Sequence, residues 1–411
     1  MATFFTVMEI EECISHLYQA DVYGVQECSI VDAIGYVLAS DIYAKEDIPQ
    51  AIRSCMDGYA VQSADTMGAS EHNPAYLECI GSVRVDEVSD AQIQQGQCME
   101  VVTGAILPQG ADAVVMVEYT HVLGETTIAI GKSVPPQEHC MLKGEDAQKG
   151  VVALPQGTLI RSQEVALLAT LGISHIPVYV KPRVSIFSTG DEIIEIEEEL
   201  EVGLVRDANS YSVESMLRSL GCSTVRLPIV SDTVEDLRNH LEKALSLSDI
   251  VLLSGGSSIG ARDYTIEAMQ SLGDIEIITH GLAMQPGKPT IIAKRGKQYI
   301  IGLPGQMASA YCVLVALVVP FIQYCSGNKE AFDRKKWNYR SAILTRNIAG
   351  TSGRETWVRV RLVEKEGIYY ATPVLGKSGL LRTLVATSGV IVIPSNSEGI
   401  EDGTPVCVYS L

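Results

Sequence analysis

Val7, Ile10, Ile14 and Leu17 recur at helical spacing and predict an amphipathic helix within residues 6–23. Ser29 followed by Asp32 reads as a cap for a second short helix ending at Leu38. Between Ala75 and Glu138 the apolar segments shorten and alternate, broken by glycine and proline, as in Val101-Val102-Thr103-Gly104 and Ala113–Val117. That texture predicts a compact β-rich insert. Ser162 then caps a helix over Gln163–Leu171, which Gly172 stops.

From Arg183 the pattern becomes strand alternating with helix. A strand at Val184–Phe187 is followed by a helix at Tyr211–Leu220, a strand at Thr224–Val230, a helix at Val234–Leu245 and the apolar run Ile250–Leu253. Such alternation predicts a parallel, right-handed βαβ sheet, with ligands beyond the carboxyl ends of its strands. The acidic run Ile194–Glu201 reads as a solvated loop. Tyr311–Ile322, the longest apolar run, is too short to span a bilayer and contains Pro320, so it predicts a buried helix. Past Ser326-Gly327-Asn328, short strands at Arg340–Leu344, Thr356–Leu362, Tyr369–Thr372 and Val390–Pro394 predict a separate small β module.

Composition narrows the functional classes. At 411 residues the chain needs about two to four domains. With 31 basic and 50 acidic residues its net charge is −19, which argues against binding nucleic acid or an anionic membrane. The ten cysteines form no C-x-x-C pair and the seven histidines no H-E-x-x-H, which speaks against zinc or iron–sulfur chemistry. No secretory leader is read at the N-terminus, so reduced thiols and a cytoplasmic location are expected.

The candidate chemistry gathers at the predicted strand ends. The run Ile250–Leu253 ends in Ser254-Gly255-Gly256-Ser257-Ser258-Ile259-Gly260, a loop able to turn backbone N–H groups toward an anion, and Asp263-Tyr264 is read as opening the next helix. Thr189-Gly190-Asp191 and Asp232 fall at the same sheet edge, and Asp207 and Asn209 precede a helix. Asp207, Asp232 and Asp263 could face a phosphate ester only through a bridging Mg²⁺, a hard cation that takes both kinds of oxygen. Lys288, framed in Gln285-Pro286-Gly287-Lys288-Pro289, could hold a second, tetrahedral oxyanion together with arginines of the β module and the hydroxyls of Ser309 and Ser378. This suggests exchange between a phosphoanhydride and an oxyanion, driven by metal and positioning.

A set of ordered motifs then matches a known family. These are Ser54-x-Met56-Asp57-Gly58-Tyr59-Ala60, Thr103-Gly104-Ala105, Gly144-Glu145-Asp146, Ser188-Thr189-Gly190-Asp191-Glu192, Asp207-x-Asn209, Ser254-Gly255-Gly256-x-Ser258-x-Gly260, Pro286-Gly287-Lys288-Pro289, Gly302-Leu303-Pro304-Gly305 and Gly353-Arg354-Glu355 followed by Arg359. Along nearly its whole length the chain resembles the MoeA and gephyrin E-domain family of molybdopterin molybdenumtransferases. The resemblance implies an α/β multidomain fold. Its parts would be a mixed N-terminal domain (1–45 with 143–180), a β-rich insert (46–142), a central MogA/MoaB-like parallel-sheet domain that binds molybdopterin (181–328) and a C-terminal small β-barrel (329–411). It implies Mg²⁺-assisted insertion of molybdate into adenylylated molybdopterin with release of AMP, in a homodimer. A molybdopterin adenylyltransferase and client molybdoenzymes would be its partners. Carried over by motif, Asp57, Asp146, Asp232 and Asp263 would be the functional aspartates, and Lys288, Ser309, Arg359 and Ser378 the oxyanion contacts.

Three departures fall in the implied oxyanion pocket. Gln285 stands where the family commonly has lysine, Gln306-Met307 replaces Asn-Pro, and Lys377 precedes Ser378 where glycine is usual. They motivate two alternatives, a tungstate-preferring transferase and a non-catalytic carrier of the finished cofactor in a divergent paralogue.

Overall fold

The computed structural model describes residues 7–255, 259–377 and 379–410, with side chains of 259–263 excepted. The chain divides into two compact units, one of residues 1–39, 157–161 and 175–411, the other of 40–156 and 162–174.

The first unit is built on a six-stranded sheet. Its order is Ser223–Arg226, Arg183–Thr189, Ile250–Gly255, Gln298–Leu303, Ile291–Arg295, Glu276–His280. Ile250, Val251 and Leu252 are 0% exposed, as a strand covered on both faces requires. Alternate residues serve opposite layers: Val184, Ile186, Ile250 and Leu252 pack with the helix bearing Phe321, while Phe187, Val251 and Leu253 pack with Leu237 and Leu241. Four strands are parallel, with Thr189 opposite Gly255 and Ser254 opposite Leu303. The purely parallel sheet expected from the alternation stops there. Arg295 pairs with Gln298 across only Gly296 and Lys297, and so short a connection can join only antiparallel strands.

Two helical expectations are also revised. Ser29–Leu38 forms no helix; Val25–Ser29 is a strand paired antiparallel with His175–Tyr179, and this long-range ladder overrides the local cap signal. The N-terminal helix is confined to Ile10–Leu17. The run around Pro320 sits in a 19-residue helix, Met307–Cys325, long and apolar enough to pass as a membrane span but 78% buried, which makes it a core helix. Proline has no N–H to give the preceding turn, and the π-helical turn Leu314–Val318 lies just before it.

In the C-terminal region five strands close into a barrel, Glu355–Lys365, Ile368–Pro373, Tyr339–Leu344, Pro405–Ser410 and Gly389–Ile393, the last pairing back on the first. Met284–Gln285 joins it as a short parallel strand, Gln285 opposite Thr356, and so carries the Pro286–Pro289 loop to the barrel's end. Arg334 clamps Glu355 through two bonds of 2.7 and 2.9 Å, and the Trp357 indole N–H donates to the same carboxylate at 3.1 Å. Glu355 is 6% exposed. Glu355→Ala would leave a half-buried guanidinium and the Trp357 N–H without this acceptor, and urea unfolding is expected to show a loss of about 1–3 kcal/mol.

The second unit contains the expected β-rich insert, a six-stranded sheet in the order Ala113–Met116, Gly58–Val61, Gln97–Val101, Ala75–Val83, Thr127–Ile130, Thr120–Leu123. Its second strand in that order starts at Gly58, where an added Cβ would overlap the Val115 carbonyl.

Candidate functional site

The carboxyl ends of three parallel strands are laced together by side chains. Asn209, first residue of the helix Asn209–Ser219, donates its amide to Ser254 Oγ and, at 2.8 Å, to the Gly305 carbonyl. It thereby holds the end of the Ile250–Gly255 strand against the loop that follows Gln298–Leu303. Gly255 is required beside it, because a Cβ there would run into the Thr189 carbonyl and methyl. Asp207 is 3% exposed and accepts from Ser188 Oγ (2.8 Å), the Ser210 amide (3.0 Å) and Ser210 Oγ (2.5 Å). Three donors on one buried carboxylate make it the organiser of this corner. Apart from Ser210, these groups line, with Arg206, Gln306 and Leu381, a cavity of about 250 Å³.

Asp232 lies at the same edge. Its Oδ1 accepts from Thr189 Oγ1 at 2.5 Å, and its amide donates to Asp191 Oδ1 at 3.2 Å. Burial pushes its carboxyl above the ordinary aspartate range; the Thr189 bond pulls it down, and repulsion from Asp191 and Glu192 adds to the rise. Among the described residues no three His, Cys, Asp or Glu side chains are grouped to hold a metal by themselves. Asp191 and Asp232 instead fit the habit of Mg²⁺, which takes one or two carboxylates and completes its shell with water and substrate phosphate. The mutual repulsion that raises Asp232 is what a divalent cation would relieve.

A second cavity, of about 300 Å³, adjoins the first through shared walls at Gly305 and Gln306. Lys288, Arg354, Ser309, Gln285 and Pro289 line it, and among the described residues no carboxylate does. The loop carrying Lys288 is fixed on both sides: the Lys288 carbonyl accepts from the Leu282 and Thr290 amides, each at 2.9 Å. At Gly287 (φ +128°) a Cβ would press on Met284 Sδ and Val313 Cγ2. Ser309, 6% exposed, sits in the first turn of the following helix.

The arginine in this cavity is Arg354, not the expected Arg359. Arg359 is 7% exposed and donates to Thr383 Oγ1 at 2.9 Å. Its charge acts on Cys312, a buried residue of the helix that presents Ser309. Arg354 belongs to the Gly353-Arg354-Glu355 motif, and the turn-forming Gly353 (φ +77°) before it is the sequence signal of a presented side chain.

Asp57 and Asp146 belong to the other unit and are exposed. Thr103 donates its amide (2.6 Å) and hydroxyl (2.8 Å) to Asp57 Oδ1, which holds that carboxyl below the usual range. Asp146 follows the turn at Gly144 (φ +72°), its amide bonded to the Ile48 carbonyl at 3.0 Å. Gly190 lies at the end of its strand, its amide bonded to the Val230 carbonyl at 3.1 Å. Gly256, Ser258 and Ser378 lie outside the described residues, as does the Asp263 side chain. The backbone of Gly260 and Asp263 is helical: the helix runs Ile259–Ser271 and does not open at Asp263-Tyr264.

Comparison with known proteins covers almost all of this architecture. Residues 7–172 match the MoeA N-terminal region (domain I and II), residues 185–324 the "Probable molybdopterin binding domain" and residues 341–411 the MoeA C-terminal region (domain IV). A molybdopterin molybdenumtransferase of Staphylococcus epidermidis is 32% identical over 378 residues, covering 92% of this chain and 89% of that protein. The Bacillus subtilis protein of the same name is 30% identical over 408 residues, covering 98% and 94%. A crystal structure of a molybdopterin biosynthesis MoeA protein from Pyrococcus horikoshii aligns with a TM-score of 0.81 at 28% identity, covering 99% of this chain and 100% of that one. Matched end to end in sequence and fold, the chain belongs to the MoeA family of molybdopterin biosynthesis proteins.

Proposed function

We propose that this chain is a molybdopterin molybdenumtransferase that inserts molybdate into adenylylated molybdopterin and releases AMP. The observation that carries the reading is the pairing of two adjoining cavities of opposite character. One is lined by Glu192 and Asp207, with Asp232 bonded to its Thr189 wall; the other presents Lys288 and Arg354 and, among the described residues, no carboxylate, in a protein of charge −19. A local pair of cations is what an oxyanion needs against a repulsive global field.

In this reading Asn209 and Asp207 hold three loops at a fixed spacing, so the phosphate-bearing end of the substrate meets a preorganised wall. Asp191 and Asp232 would hold Mg²⁺, which supplies charge neutralisation for a phosphoanhydride. Lys288, Arg354 and the Ser309 hydroxyl orient the oxyanion beside the Gln306 wall that both cavities share. Asp57 and Asp146 enter the proposal as residues whose replacement lowers turnover.

The test is AMP release from adenylylated molybdopterin with Mg²⁺ and with molybdate, tungstate or neither. Oxyanion-dependent release supports the transferase and ranks the two anions. Binding of the pterin with no release above background rejects it in favour of a carrier.

A further inference from the structure

Resting on the oxyanion reading of the Lys288 cavity, we propose that Thr351 is a positioning residue that sets which tetrahedral dianion the cavity prefers. Thr351 does not line the cavity; it acts on two residues that do. Its hydroxyl donates to Gln285 Oε1 at 2.8 Å, so the carboxamide is held by its oxygen and its N–H₂ group is the end left to donate. Its carbonyl accepts from the Arg354 amide at 3.1 Å and closes the turn that presents the guanidinium. Its own amide donates to Thr356 Oγ1 at 3.2 Å, and Thr356 is the barrel residue paired with Gln285. One residue therefore fixes a neutral donor and a cation relative to each other and to the sheet.

The consequence is selectivity. Molybdate, tungstate and sulfate are all tetrahedral dianions, and at equal distance a cation attracts each equally, so charge alone cannot choose between them. They differ in size, sulfate being the smallest. A donor fixed in space rewards the anion whose oxygen reaches it and offers little to one that falls short. A freely rotating amide would follow either anion. The Thr351–Gln285 bond makes the difference between these cases, and the preference follows the larger metal oxyanions.

The experiment is calorimetric titration of the full chain, without pterin, with molybdate, tungstate and sulfate, for the wild type, Thr351→Val and Thr351→Ser. Valine keeps the shape of threonine and removes the hydroxyl; serine keeps the hydroxyl. Thr351→Val is expected to weaken molybdate and tungstate roughly 3–10-fold, the value of one hydrogen bond, and to leave sulfate within about 2-fold. Thr351→Ser is expected to restore the wild-type ratio. Equal weakening of all three anions in Thr351→Val, or no recovery in Thr351→Ser, would overturn the proposal, since a general structural role predicts both. A wild type that binds none of the anions would overturn it together with the oxyanion reading. Because the titration contains no pterin, failure of AMP release leaves the selectivity result standing.

Discussion

Asp232→Asn is expected to abolish most oxyanion-dependent AMP release, by roughly 10²–10³-fold, while leaving the protein at least as stable at neutral pH. Both halves come from the same electrostatics. The carboxyl is half-buried beside Asp191 and Glu192, and its folded pKa is raised. Between the unfolded and folded values the native state therefore binds more protons than the unfolded one, so stability falls as pH rises through that window. Asparagine carries no charge to desolvate, and its Oδ1 can still accept from Thr189. Thermal melts across pH should show native and variant together below the ordinary aspartate value of about 3.9. Above it the variant should become equal or more stable. A variant that loses stability together with activity would make Asp232 a structural residue instead. The trade of stability for activity is what a strained site leads one to expect.

Lys288→Met is expected to raise the molybdate KM roughly 10–100-fold, the value of one charge-assisted bond, with little change in kcat once the anion is saturating. Its rigid loop makes this a clean comparison, because the backbone bonds to Leu282 and Thr290 do not involve the side chain. The native KM should also climb with ionic strength, and the variant's should climb less. Arg359→Met provides the contrast. With its guanidinium bonded to Thr383, that change should disturb the 380–385 segment first and the molybdate KM only secondarily. The reverse ranking of the two variants would return the anion to Arg359.

The central sheet was legible because burial on both faces leaves an apolar run, and Ile250–Leu253 is such a run. The strand-end position of Asp232 followed from the same alternation. What stayed hidden depended on partners distant in sequence. That Asp207 braces the corner shows only when Ser188, 19 residues away, is seen donating to it. Arg354 enters the cavity because Gln285 pairs with Thr356, a parallel contact no local pattern encodes. The supposed helix after Ser29 failed for a similar reason, its strand partner lying at His175–Tyr179. Local signals therefore located the site's scaffold, and long-range pairing decided which charges face the ligand.

The division of labour between the two cavities is tested most directly by soaking crystals in tungstate and locating tungsten by anomalous diffraction. The expected result is a single strong peak between Lys288 and Arg354, beside Ser309. A peak at the Asp191–Asp232 edge or at the Arg359–Thr383 contact would contradict that division, and so would no ordered tungsten at saturating anion.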